Sequence, residues 1–126
     1  MSDPRDVSGV WYGRYVSASG RQDSGFIAMF EEAGGVFSGS ISEPDEGGGV
    51  RRATVAGRRN GSQIQFVKQY HGRWKHAVFY EGSLDDQGTQ ASGNWTVETV
   101  HGGFDMQREK FTIEELEDEI EARLEL

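Results

Sequence analysis

Residues 62–84 read SQIQFVKQYHGRWKHAVFYEGSL, two alternating runs on either side of a short His71-Gly72-Arg73 turn. Ile64, Phe66, Lys68 and Tyr70 fall at every second position of the first run, and Trp74, His76, Val78 and Tyr80 at every second position of the second. A period of two is that of a half-buried strand, so the stretch predicts a β-hairpin with one face loaded with large rings. Lys68 and His76 share that face. A few polar groups among apolar walls is how a small-molecule pocket is usually lined.

Upstream of the hairpin, Val7–Val16 sets Gly9, Trp11, Gly13 and Tyr15 against Val10, Tyr12, Arg14 and Val16. Two further strands, Phe26–Glu32 and Val36–Ser42, are joined at Ala33-Gly34-Gly35, where glycine supplies the backbone freedom of a tight turn. The segment EPDEGGG, residues 43–49, reads as a long turn ahead of a fourth strand, Val50–Arg58. Asn60-Gly61 then gives the strongest short hairpin signal. Downstream, Gln90–Glu98 and Gly103–Lys110 complete eight strands, the second carrying Phe104, Met106 and Arg108. The expected fold is all-β, an eight-stranded antiparallel up-and-down barrel.

From Thr112 the period changes. Ile113, Leu116, Ile120 and Leu124 recur at helical spacing behind Thr112 in N-cap position, with Glu115 three residues on. The expectation is a barrel domain over residues 1–111 and a C-terminal acidic amphipathic α-helix over 112–126.

A chain of 126 residues is expected to form one core. Its net charge of -8 opposes a nucleic-acid partner, because phosphate binding needs a positive field. Arg51, Arg52, Arg58 and Arg59 read as a solvated strand face, and the pairs Glu31-Glu32 and Asp85-Asp86 as solubilising turn residues. With no cysteine the chain cannot hold zinc through thiolates and gains nothing from an oxidising compartment. No apolar run reaches membrane-spanning length and the N-terminus lacks a signal-peptide core, so a cytoplasmic location without membrane contact is expected.

Gly9-x-Trp11 in the first strand, with Arg108 on the last, resembles the signature of the calycin superfamily of lipocalins, fatty-acid-binding proteins and avidins. The resemblance implies that Arg108 packs across the Trp11 ring in a structural role. The order Trp11-Tyr12, Gly35-x-x-x-Gly39, Tyr80-x-Gly82 and Trp95-Thr96 is similar to the avidin and streptavidin branch, over the chain to about Lys110. Gly13 stands where that branch places a polar residue for the biotin ureido group, and Ile41 and Phe66 replace an expected tyrosine and tryptophan. Biotin is therefore not the expected ligand.

The function expected is binding of a small apolar or amphipathic ligand inside the barrel. The lining residues, on one alternating face, are Trp11, Tyr15, Phe66, Lys68, Tyr80, Trp95 and Met106. Lys68 and Tyr70 suit a carboxylate or phosphate at the mouth. One alternative is a filled barrel that acts as a protein-interaction or dimerisation module through Val10, Tyr12, Ile27 and Met29 together with the amphipathic tail. Another is an enzyme or haem protein working through His76. No catalytic residue, metal ligand set or cofactor is assigned; His71 and His101 are expected in exposed turns.

Overall fold

A computed structural model of the chain describes residues 3–17, 22–45, 47–72 and 76–109, together with residues 118, 121, 122 and 124. Eight strands follow in order: β1 Gly9–Ser17, β2 Gln22–Ala33, β3 Val36–Asp45, β4 Gly49–Asn60, β5 Gln63–Tyr70, β6 Ala77–Leu84, β7 Gln90–Val97 and β8 Val100–Gln107. Each pairs antiparallel with the next, and β8 pairs back with β1, so the sheet closes into a barrel. Closure removes every sheet edge, which is why so many short strands coexist in one small chain without an exposed pairing template.

The alternation read from the sequence sets the interior. Trp11, Tyr15, Phe30, Phe37, Ile41, Val55, Ile64, Phe66, Tyr80, Phe104 and Met106 all point inward and are buried. Phe66 and Tyr80, partners across β5 and β6, stack with ring centroids 4.4 Å apart, and Phe104 meets both edge-on at 6.0 and 5.4 Å. Phe30 and Phe37 fill the space beneath them. Interlocked rings at these spacings leave the lower barrel solid.

Arg108 closes the lower end. Its guanidinium carbon lies 4.4 Å from the Trp11 ring centroid, while its N–H groups donate to the carbonyls of Gly88, Ser8 and Asp6. The Trp11 indole donates to the Val7 carbonyl at 2.9 Å, and Val7 itself is fully buried. The chain entering and the chain leaving the barrel are thus tied to one ring.

Several boundaries differ from the sequence reading. Glu43, Pro44 and Asp45 belong to β3, not to a turn, and pair with Arg51, Val50 and Gly49. Proline is tolerated there, near the end of the strand, where little of the ladder is lost. The first strand starts at Gly9, because Val7 turns under the barrel floor. The last begins at Val100, so His101 is a strand residue, and it ends before Arg108, which leaves the ladder to cover Trp11. Glu31 and Glu32 also lie in a strand. The Glu32 side chain is only 2% exposed and holds Arg59 through two bonds of 2.7 Å, a fork no solvated acid would make. Residues 73–75, including Trp74, lie outside the described residues. So does most of the expected helix; the described Asp118, Glu121, Ala122 and Leu124 are helical and exposed, and four such residues do not establish a helix over 112–126.

Candidate functional site

The upper end of the barrel, where β1–β2, β3–β4, β5–β6 and β7–β8 connect, holds a cup of about 210 Å³. Its walls differ in character. Val78 and Tyr80 on β6 with Trp95 and Val97 on β7 make an apolar side, and Ser24, Glu43, Arg51, Lys68 and Tyr70 on β2 to β5 make a polar one. Tyr15 lies between them on β1.

Two glycines position the rings. A Cβ on Gly13 would meet the Phe26 ring at 2.2 Å, so its absence lets Phe26 stack against Tyr15 with centroids 4.6 Å apart. A Cβ on Gly102 would meet the Trp95 ring at 2.6 Å; without it the indole lies against β8 and its N–H donates to the Val16 carbonyl at 3.3 Å.

The polar wall is built around one carboxylate. The Lys68 ammonium donates to Glu43 Oε2 at 3.2 Å and to the Tyr15 hydroxyl oxygen at 3.1 Å, and the Tyr70 hydroxyl donates to Glu43 Oε1 at 2.5 Å. Arg51 adds a guanidinium whose Nε stands 3.9 Å from the same carboxylate and whose carbon lies 5.1 Å from the Tyr70 ring centroid. The Lys68 nitrogen is also within 4.6, 4.5 and 5.5 Å of the Tyr15, Tyr70 and Tyr80 ring centroids, a cage whose negative ring faces favour a cation.

Burial decides the titration of this cluster. It pushes the Lys68 ammonium down to about 8; the Glu43 carboxylate pulls the other way without restoring the ordinary value. The Tyr15, Tyr70 and Tyr80 hydroxyls are all raised above the normal phenol range, in each case first by burial and in each also by the Glu43 charge.

Of the seven residues expected to line a ligand site, the structure gathers Tyr15, Lys68, Tyr80 and Trp95 at the cup. Trp11, Phe66 and Met106 face inward as well but sit in the packed interior below it. His76 does not stand on a strand. It lies one residue ahead of β6, exposed at the rim, with its ring 5.2 Å from Tyr70. Among the described residues no group of three or more histidines and acids is placed to hold a metal.

Glu43 and Arg51 were not legible as site residues. Glu43 was hidden in a segment dominated by Pro, Asp and Gly, although it continues the inward row of Phe37, Gly39 and Ile41 at spacing two. Arg51 likewise begins the inward row of Ala53 and Val55.

No family model and no curated protein sequence matches the chain. Solved structures do. A redesigned beta barrel, b11L5F_LGL, superposes with a TM-score of 0.73 at 14% identity, over 86% of this chain and 96% of that one. The redesigned barrel mFAP1, bound to DFHBI, gives 0.68 at 13% identity over 86% of this chain and all of that one. A fluorescence-activating beta barrel designed de novo gives 0.62 at 12% identity with the same coverage as mFAP1. At these identities the likeness establishes the closed antiparallel barrel and no more; calycin membership has no support beyond the short motifs.

Proposed function

We propose that this protein binds a small amphipathic molecule in the upper cup. The carrying observation is the division of one concave site into an apolar wall, Val78, Tyr80, Trp95 and Val97, and a polar wall around Glu43, Arg51 and Lys68. A ligand lays a flat apolar face on the first and directs an acceptor group at the second. At about 210 Å³ the cup is smaller than the roughly 300 Å³ or more usual for drug-sized molecules, so the ligand has one or two rings. That barrels of this architecture take such ligands is supported by mFAP1 and EF1p2_mFAP2b, each solved bound to DFHBI.

Calorimetric titration with 2-naphthol tests this. The intact protein binds it, and Val97→Trp, which fills the cup at its rim, loses that binding while keeping the wild-type melting temperature. Equal affinity in the two proteins contradicts the assignment.

A second reading, self-association, is supported by the outer face of β1 and β2. Val10 pairs with Met29 and Tyr12 with Ile27, and all four are 40% to 58% exposed, a contiguous apolar ladder pointing at solvent. On this reading the protein is a homodimer whose isologous contact is broken by Met29→Glu. Light scattering that finds monomers of the unmodified chain at micromolar concentration removes it.

A further inference from the structure

Among the described residues one amine, that of Lys68, lines the cup. Lys68 is 2% exposed, is walled by three tyrosine rings, and has a carboxylate within proton-transfer distance. It is one of only three lysines in the chain, with Lys75 and Lys110.

We propose that Lys68 captures carbonyl compounds, forming a reversible imine with a small aromatic aldehyde held in the cup, with Glu43 as the proton carrier; this rests on the cup being a ligand site. Lysine becomes a nucleophile toward carbonyls when burial or a neighbouring cation disfavours its charged form. That condition is met, since burial lowers the Lys68 ammonium to about 8. The apolar wall of Trp95, Val78 and Val97 supplies a surface for the aldehyde's ring.

The atoms balance without an outside reagent. Nζ begins with three protons. One passes to Glu43 Oε2, 3.2 Å away, freeing the lone pair that attacks the carbonyl carbon. A second moves from nitrogen to the former carbonyl oxygen, giving a carbinolamine. Glu43 then returns its proton to that oxygen, the C–O bond breaks with its electron pair leaving on water, and nitrogen closes the C=N bond with its third proton in place. The product is a protonated imine beside the Glu43 carboxylate, so the charge in the cup is the same before and after. The Tyr70 hydroxyl, donating to the other carboxylate oxygen at 2.5 Å, keeps Oε2 turned toward Lys68 throughout.

The test treats the full chain with 2-naphthaldehyde and sodium cyanoborohydride at neutral pH, maps the mass increase by peptide sequencing, and measures 2-naphthol binding in parallel. Lys68 is expected to label roughly tenfold or more faster than Lys75 or Lys110, because burial raises its free-amine fraction and the cup holds the aldehyde beside it. Lys68→Arg should abolish that fast phase and leave labelling of the other two unchanged. Glu43→Gln should slow it roughly tenfold: a positioned acid-base group contributes about a hundredfold, and the larger free-amine fraction left without the carboxylate offsets part of that. The control is informative because losing Glu43 alone would lower the Lys68 value further and, without a proton-transfer role, speed the reaction; faster labelling overturns the role given to Glu43. Labelling of Lys68 at or below the rate of the other lysines overturns the proposal. If 2-naphthol still binds in that case, the ligand site stands and only the imine falls; if neither reagent engages the cup, both fall.

Discussion

Lys68 and Glu43 reach each other over the top of β4, from β5 and β3, and meet at 3.2 Å inside a ring of tyrosines. A buried pair of this kind adds little to net stability, because desolvating two charges offsets most of their attraction. Its value here is positional. It places an amine and a carboxylate at the polar wall of a cup whose other wall is apolar.

The pair makes stability depend on pH in a definite direction. Lys68 titrates at about 8 when folded and at about 10.4 when unfolded, so between those values the unfolded chain holds the extra proton and stability rises with pH. Tyr15, Tyr70 and Tyr80 have the opposite sign. Their folded values are raised, so above an unfolded value of about 10 the unfolded chain loses protons first and stability falls. Chemical denaturation from about pH 7 to 11 should show a gain on the order of 1–2 kcal/mol peaking below about pH 10, followed by a decline. Lys68→Met should remove the rise and leave the decline; a rise that persists in this variant assigns it to another group.

At the lower end, Arg108 should matter more for its shape than for its charge. Arg108→Lys loses the planar stacking on Trp11 and most of the three carbonyl contacts, and should cost about 1–2 kcal/mol. Arg108→Ala leaves buried carbonyls without donors and should cost about 3 kcal/mol. Thermal melts of the three proteins check the order; an alanine variant that melts with the wild type would show that the lower end is held shut by something else.

Gly13 should resist even the smallest side chain. Gly13→Ala drives a methyl into the Phe26 ring and should cost about 1–3 kcal/mol, the usual range for overpacking. Gly13→Ala combined with Phe26→Leu should recover part of that loss. If the double variant is as unstable as the sum of the two single ones, the clash is not the cause.

The barrel was readable because its strands alternate: the parity of Ile64, Phe66, Lys68 and Tyr70 is fixed by the rings on either side, and a slip of one residue would have put all of them in solvent. The cup was half readable for the same reason. Tyr15, Lys68, Tyr80 and Trp95 sit among aromatics in long runs, whereas Glu43 and Arg51 flank a Gly-rich connection where turn signals outweigh periodicity. Glu32 and Arg59 show the same limit, since one charge in a sequence looks alike whether it meets water or a partner 27 residues away. What no sequence pattern carries is depth. Trp11, Phe66 and Met106 share the inward parity of Trp95, yet only packing in three dimensions places them below the cup.

Whether a ligand sits in the upper cup is tested most directly by a heteronuclear NMR titration of the isotope-labelled chain with 2-naphthol. With the ligand in the cup, the Trp95 indole N–H and the amides of Ser24, Glu43, Arg51, Tyr70 and Val97 shift together and saturate with one dissociation constant, while the amides around Trp11 and Arg108 stay still. Shifts that spread evenly over the barrel surface, or gather on the outer face of β1 and β2 at Tyr12 and Ile27, would contradict it.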